Sequence, residues 1–495
     1  MKSDTAVCAA LFLTAAAVRL LFLSGTVDRE LPFSVFYYGD SRIYREFAFA
    51  LMRGTLFDQG IPVHPPAFAY VLSWIIRWTG ERPTVVRAVL AIGGATVAPL
   101  TYLLGRAIWN RAVGAVAALL ATFSFGLCVL SASPNVEAIY VPVLVAQALL
   151  LVGLGDAAST GRTKRAATLA VLGGIVLGLG SLTRAEHLAY VAVLPVSIAF
   201  GWPSLPRRSV ALYAAAMGGV AMLAIAPWTI HNHRALARFN AEHPTLAEPL
   251  PTWVGVIATG PLNFALANNA RTDGTFQPDA VVAGMGRGRL DLEDAAQADL
   301  YLHGYRRGLS FLVGDPGAAV SLLAGKIALA SDAYALGFGL SNWPGGLTGT
   351  RRPVDVFSPK RRIFKPVSLV LLAAGLWLSR SVLRRGSILW LAGLLGLAVT
   401  LATFGYARFF LQAAPFVFLF QAAAVLGATS RWRTRGGRRA AALLGVAVAV
   451  ALTVELAVAT ARPLNFRASG STDPATGKIV QDAAVELEAV SRVRP

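Results

Sequence analysis

The sequence predicts an all-α integral membrane protein with about 11 transmembrane helices. Of its 495 residues 55% are hydrophobic and only 14% charged, against roughly 25% charged in an ordinary globular domain. Apolar runs of roughly 20 residues recur along the chain, each long enough to cross about 30 Å of hydrocarbon as a helix. The net charge of +19 would suggest nucleic acid in a soluble protein. Here the arginines gather in short loops between apolar runs, so they report orientation in a membrane and no nucleic-acid partner is expected.

The chain opens with the run 5–25. It is too long for a signal peptide, its charged flank has only Lys2, and no small-residue cleavage signal follows, so it is expected to be the first span. Residues 26–83 then form a first outer loop, and 84–229 hold spans two to seven, near 84–105, 112–132, 136–155, 166–183, 187–201 and 209–229. Residues 230–365 form an outer region, 366–460 hold spans eight to eleven, near 366–383, 387–404, 409–428 and 439–460, and 461–495 form an outer tail. With the N-terminus in the cytoplasm, the short inside loops carry Arg106 and Arg111, then Arg162, Lys164 and Arg165, then Arg207 and Arg208, then Arg384 and Arg385, and last Arg431, Arg433, Arg435, Arg438 and Arg439. Every short basic loop falls on one side. Cys8 and Cys128 lie in apolar runs 120 positions apart and read as packing residues, not as a disulfide framework or a zinc site.

Two stretches outside the spans read as surface helices. In 41–54, Ile43, Phe47, Ala50 and Leu51 share one face, while Arg42, Arg45, Glu46 and Arg53 fall largely on the other. GAAVSLLAGKIALASDAYALGF, residues 317–338, is apolar enough for a twelfth span. Crossing would carry Lys326 and Asp332 into the bilayer at about 2.5–3.5 kcal/mol for each central charge, and would turn the later arginine loops outward. It is therefore laid on the membrane surface as an amphipathic helix.

On the outer face so defined, polar residues gather at the membrane edge. Asp40 opens the first surface helix. Capping that helix, worth about 1 kcal/mol, is the simpler role and is compatible with a catalytic one. His64-Pro65-Pro66 holds the first loop extended. Glu137 stands in the first turn of the fourth span, where the helix dipole favours it and where ionisable groups are often functional. Arg184 ends the fifth span and Arg408 sits between spans nine and ten, on the face that the charge rule leaves poor in cations. Either alone could snorkel to headgroups; two on one face suggest an anionic ligand. His231, Asn232, His233 and Arg234 follow the seventh span. Histidines at i and i+2 do not share a helix face, so a collar for a headgroup or sugar is expected there, not a metal pair.

The order of a first-loop Asp, HPP, Arg87 in PTVVRAVLAIGG, SPNVE, GLGSLTR, PW followed by Asn232, an outer DPG with Lys326 beyond it, and YARFFLQAAP resembles the GT-C glycosyltransferases. Within them it is similar to the protein mannosyltransferase and aminoarabinose transferase branch (glycosyltransferase family 39-like), over roughly residues 5–428. The resemblance implies a GT-C-like fold with a small extracytoplasmic region. It also implies transfer of one sugar from a polyprenyl-phosphate donor to an acceptor at the outer face, with inversion. By position Asp40 matches the family's catalytic carboxylate, Glu137 the acidic residue opening the fourth span, and Arg408 the basic residue of the aromatic-flanked motif. Ser41 stands where a second acid often follows the Asp, and His231 where an arginine usually precedes the Asn. The first departure weakens the argument for a metal bound by adjacent acids; no cofactor is expected, a divalent metal staying open but unsupported.

Residue chemistry agrees with that reading. A polyprenyl phosphate leaves as a stable anion and needs cations, which Arg408, Arg184 and Lys326 would supply. The acceptor hydroxyl is a poor nucleophile, and a positioned carboxylate, Asp40, contributes about 10²–10⁴-fold as a general base. Glu137 would orient the acceptor or set the local field, and His64, His231, Asn232 and Arg234 are expected to hold substrate. The sugar, the acceptor class (lipid, glycan or protein) and the carrier length stay open. Alanine and arginine usage suggests a bacterial plasma membrane, with the site and the C-terminus on the periplasmic side. The rival is a flippase for lipid-linked sugars, which also needs many spans and a phosphate-binding cation. Transporters usually carry inverted repeats and polar residues at the midplane, whereas these charges cluster at one face.

Overall fold

The computed structural model describes residues 2–24, 40–246, 248–282, 290–335 and 364–431. The expected span 439–460, the tail 461–495 and residues 336–338 lie outside them. The regular elements are helices. After α1 (Lys2–Ser24), the first loop carries α2 (Asp40–Arg53) and α3 (Ala67–Thr79). There follow α4 (Pro83–Gly94), α5 (Val97–Ile108), α6 (Arg111–Phe123), α7 (Phe125–Ala132), α8 (Glu137–Ser159), α9 (Thr163–Thr183), α10 (Tyr190–Gly201) and α11 (Arg207–Glu242). The outer region carries α12 (Gly260–Ala267), α13 (Pro278–Val281), α14 (Ala295–Gly314) and α15 (Pro316–Ser331). The last described part holds α16 (Phe364–Leu378), α17 (Ser387–Ala402), α18 (Ala407–Leu411) and α19 (Ala414–Arg431).

Five stretches are long and apolar enough to cross a membrane: Asp4–Leu23, Pro83–Ile108, Glu137–Ser159, Thr163–Thr183 and Arg207–Glu242. Shorter apolar helices stand at Arg111–Phe123, Ala185–Gly201, Lys365–Leu378, Ser387–Ala402 and Ala414–Gly427. So the ten expected spans within the described residues each meet an apolar helix, five of them short. The protein is a multi-pass helical membrane protein. Its main core gathers buried side chains from α1 and from α4 through α11 together with α17 to α19, while Leu212 and Leu223 on α11 stay 67% and 75% exposed. In water such exposure is a liability; against lipid tails it is the expected outer surface. α5 and α6 approach closely because a Cβ on Gly105 would stand 2.7 Å from the Gly114 Cα, the small-residue contact that membrane helices use.

Four expectations are corrected. The run 112–132 is broken at Ser124, which leaves the helical conformation and accepts a hydrogen bond from the Leu127 amide at 3.3 Å, starting α7. α11 does not stop near 229 but continues past Pro227 to Glu242. At about 1.5 Å per residue its 36 residues exceed the hydrocarbon thickness, so its last turns protrude. α2 buries Ser41, Tyr44, Phe47 and Ala48, a face turned from the expected one because Tyr44 packs edge-on against Phe68 of α3, ring centroids 5.0 Å apart. Finally, α15, within 317–338, does not carry Lys326 on a polar outer face: it meets α14 at a 110° bend, and the pair is apolar enough for a broken span or a re-entrant loop. Its Lys326 is fully buried, and the penalty that argued for the surface is offset by hydrogen bonds to Asn268 and Leu401.

Charged groups mark both ends of the bundle. Asp4 pairs with Arg106 at 2.6 Å and Arg111 at 3.2 Å, and Asp156 pairs with Arg385 at 2.6 Å. Asp156 lies near the end of α8, which begins at Glu137; at the helical rise that separates the two carboxylates by about 28 Å. The opposite end holds the candidate site.

Candidate active site

Asp40 is the first residue of α2. Its helix is fixed by Tyr44 against Phe68 and by Phe47 stacked on Phe57 with centroids 4.5 Å apart. The carboxylate turns to Arg408, Nη1 to Oδ2 2.6 Å. Arg408 Nε lies 3.8 Å from Glu137 Oε1, and Arg184 Nη1 donates to that same oxygen at 2.8 Å. Arg184 Nε in turn donates to Glu186. Asp40, Arg408, Glu137, Arg184 and Glu186 thus form one chain of alternating charges, drawn from α2, α18, the start of α8 and the turn after α9.

Aromatic rings hold the two guanidinium groups. Both lie over Phe409, at 4.8 Å for Arg184 and 5.5 Å for Arg408, and each meets a tyrosine ring as well, Arg184 that of Tyr140 at 5.7 Å and Arg408 that of Tyr406 at 5.4 Å. Such cation–π contacts orient a guanidinium without using its donors. Arg184 is free to point here because α9 ends at Thr183 and the chain turns extended at the next residue.

The cluster carries a hydrogen-bonding deficit. Buried Glu137 Oε2, His64 Nδ1, Asn135 Oδ1 and Arg408 Nε and Nη1 have no hydrogen-bond partner. The Arg408 contact with Asp40 is therefore an ion pair by distance that leaves those N–H groups unaligned. A buried unpaired polar atom costs about 1–3 kcal/mol, so a polar ligand carrying both acceptors and donors would be stabilised here. His64 reaches this place because Tyr44 packs edge-on against its ring at 5.5 Å and because its loop is pinned by Ala258 N donating to Pro62 O at 2.8 Å.

Electrostatics follow from the geometry. Burial pushes the Asp40 carboxyl up, but Arg408, His64 and Arg184 together outweigh it and hold the group below the ordinary carboxylate range. Burial pushes the His64 imidazole below its usual value; Asp40 pulls it back and Arg408 opposes that pull. At neutral pH the site holds an ionised Asp40 beside a neutral His64.

Other expected site residues stand elsewhere. Asn232 is buried in the middle of α11 and its amide donates to the carbonyls of Val254, Gly255 and Val256 at 3.2–3.4 Å. His231 stacks on Trp228, centroids 4.7 Å apart, and Arg234 is exposed. Lys326 donates to Asn268 Oδ1 at 2.8 Å and to the Leu401 carbonyl at 3.0 Å. Among the described residues no group of three or more His, Cys, Asp or Glu gathers to hold a metal ion. The site carboxylates face guanidinium groups, and Ser41 follows Asp40 where a second acid would stand.

Sequence reasoning missed three participants. Glu186 lies two residues beyond Arg184 and shared its signal, a charge at the poorly charged face. Arg19 is fully buried in α1, with Nε donating to Ser131 Oγ at 3.0 Å; a cation inside the run 5–25 was itself the signal. Asn135, two residues before Glu137, had no pattern to find it. Arg87, noted in the motif order, donates Nε to the Ala132 carbonyl at 2.9 Å. Arg19 and Arg87 thereby fix the end of α7 just ahead of Glu137.

Residues 63–231 match the model of the family described as dolichyl-phosphate-mannose-protein mannosyltransferase. The matched stretch contains His64, Glu137, Arg184 and His231, while Asp40 and Arg408 flank it. The chain superposes on the archaeal oligosaccharyltransferase AglB from Archaeoglobus fulgidus, in complex with an inhibitory peptide and a dolichol-phosphate, with TM-score 0.51 and 16% identity, over 91% of this chain and 54% of that one. The apo oligosaccharyltransferase of the same organism gives TM-score 0.50 and 14% identity over 91% and 54%. ArnT from Cupriavidus metallidurans in the apo state is a looser likeness, with TM-score 0.35 and 13% identity over 85% and 78%. The chain spans about half the length of the first solved relatives it matches. No curated protein matches it in sequence. In fold, and in the segment that carries Glu137 and Arg184, the chain is similar to the GT-C glycosyltransferases on the side of the protein mannosyltransferases.

Proposed function

We propose that this protein transfers a single sugar from a polyprenyl-phosphate donor to an acceptor hydroxyl at the outer face of a bacterial plasma membrane, with inversion. The observation that carries the reading is Arg408, whose guanidinium is shared between Asp40 at 2.6 Å and Glu137 at 3.8 Å and keeps its buried Nε without a hydrogen-bond partner. The name of the family matched over 63–231, and a solved relative described with a dolichol-phosphate, support this class of donor.

The donor phosphate docks on Arg408 and Arg184. Glu137 holds both guanidinium groups from behind, and the flanking rings keep them in place. As the phosphate draws on Arg408, the pull of that cation on Asp40 is shared, and the carboxylate becomes a better base at the moment it is needed. Asp40 takes the acceptor's hydroxyl proton, the acceptor oxygen bonds to the anomeric carbon, and the bond from that carbon to the phosphate oxygen breaks with its electron pair on the leaving polyprenyl phosphate. Attack comes from the face opposite the leaving group, which inverts the centre. The cations are guanidinium groups, so the proposed reaction runs without a metal. His64 lies at the sugar, and exposed His231 and Arg234 on α11 face the acceptor, which is a lipid, glycan or protein. Asn232 supports that side by holding the 254–256 segment, and Lys326 supports the donor side from below Arg408.

The test is a transfer assay in detergent or nanodiscs, with wild type and Asp40→Asn presented with a panel of polyprenyl-phosphate sugars and scored for released polyprenyl phosphate. Wild type is expected to release it, and the variant to do so about 10²–10⁴-fold more slowly. Release by neither folded protein, with wild type moving the lipid across liposomes, would overturn the transferase and favour the flippase.

A further inference from the structure

Lys326 is a fully buried amine with no carboxylate partner among the described residues. Its ammonium donates to the Leu401 carbonyl and to Asn268 Oδ1. Asn268, itself 1% exposed, donates its amide to the next carbonyl, Ala402, at 2.9 Å and to Phe264 at 2.9 Å. Two side chains of the outer region thus satisfy two consecutive carbonyls at the C-terminal end of α17, where a helix lacks its own donors and favours positive charge.

The same corner is held by two further hydrogen bonds and two close glycine approaches. Gly405 N donates to the Gly274 carbonyl at 2.8 Å, and Phe276 N donates to the Tyr406 hydroxyl at 2.9 Å. A Cβ on Gly405 would stand 2.7 Å from the Lys326 Cα and carbonyl oxygen, and one on Gly274 would stand 2.9 Å from the Lys326 Cγ. Gly274 also adopts a φ of +95°, so both positions need glycine for the lysine to lie between them. Lys326, Asn268, Gly274 and Phe276 each touch residues 401–406, and the next two residues reach Arg408.

We propose that Lys326 and Asn268 are positioning residues: they clamp the turn 401–406 and so set the guanidinium of Arg408 against Asp40 and the donor phosphate. The outer segments 264–276 and 316–331 are then mechanically part of the donor site, although neither carries a charge into it. The kinetic part of this inference rests on the transferase reading above; the clamp itself does not.

The experiment has two arms. In the first, Lys326→Met, Arg408→Gln and the double variant are compared for kcat/KM with the donor. Lys326→Met is expected to lose about 10- to 100-fold through misplacement of a distant group. Because it acts through Arg408, the double variant should be no slower than Arg408→Gln alone. Losses that multiply would overturn the proposal. In the second arm, hydrogen exchange of the peptide covering 402–412 is followed in wild type and Lys326→Met in nanodiscs. Amide protection is expected to fall in the variant, and unchanged protection would overturn the clamp. If wild type releases no polyprenyl phosphate, the transferase reading fails while the exchange arm still decides the clamp. Should Lys326→Met not give a monodisperse protein, Asn268→Ser, which frees the Ala402 and Phe264 carbonyls and one acceptor of Lys326, replaces it with the same outcomes.

Discussion

Replacing Arg408 by Gln removes one cation that does two things, and the two consequences can be separated. At 2.6 Å from Asp40, two unit charges attract by about 6 kcal/mol at an effective dielectric of ~20. The side chains are 20% and 30% exposed, so screening by solvent reduces this to about 2–3 kcal/mol. That attraction favours the ionised form of Asp40. Wild-type Asp40 lies below the ordinary carboxylate range because the cation favours its ionised form. Loss of the cation therefore moves the carboxyl up, and the acid limb of the pH–rate profile should move to higher pH. The phosphate loses a preorganised donor as well, which typically costs about 10²–10³ in rate. Polyprenyl phosphate release would be followed from pH 4 to 9, with donor and acceptor varied in turn. The expected result is a fall in kcat/KM for the donor larger than that for the acceptor, and greater at pH 5 than at pH 8. An acid limb that stays in place would refute the coupling of Arg408 to Asp40, and equal losses for both substrates would point to a fold defect.

Two further outcomes follow from side chains outside the charge chain. Asn232→Leu leaves three backbone carbonyls of the 254–256 segment without their donor, so a loss of about 1–3 kcal/mol in stability is expected, read as a lower Tm with donor KM little changed; a raised donor KM at unchanged Tm would make Asn232 a ligand instead of a tie. His64 is held below its unfolded pKa, so its contribution to stability is present above about pH 6.5 and is lost as pH falls below it, while that of Asp40, also depressed, persists until below about pH 4. Tm measured from pH 7.5 to 5 should fall less steeply in His64→Gln than in wild type, and parallel slopes would show that His64 does not titrate in this window.

Most spans were legible because a membrane helix must be apolar over its own length, a local property that hydropathy reads directly. Ser124 was not, since FSFG is as apolar as its surroundings and the break is a capping event, visible only in backbone geometry. Asp40, Glu137, Arg184 and Arg408 could be proposed together because topology put four charges on one face, yet nothing in the sequence gives distances between positions 40 and 408. Lys326 shows the opposite failure. The cost of burying it was weighed as if the ammonium had no partner, and Asn268 belongs to no pattern that would have offered one. His231, Asn232 and Arg234 were grouped because they adjoin in sequence, but on a continuing helix adjacent residues point apart, and only Asn232 turns inward.

The balance of charge in the site bears on the order of events. Three carboxylates, Asp40, Glu137 and Glu186, surround two guanidinium groups, so without a donor the cations are already compensated and an incoming phosphate gains little from net charge. What remains for it is the set of unaligned donors on Arg408, beside an orphan acceptor on Glu137 that suits a hydroxyl. An acceptor arriving first would meet an Asp40 whose basicity Arg408 suppresses. In the proposed reaction a phosphate arriving first would redirect Arg408 and leave Asp40 ready for the proton. The pairing of acid and base in the resting site thus disfavours deprotonation until the donor is in place, and for that to work the turn 401–406 must hold Arg408 within reach of both partners.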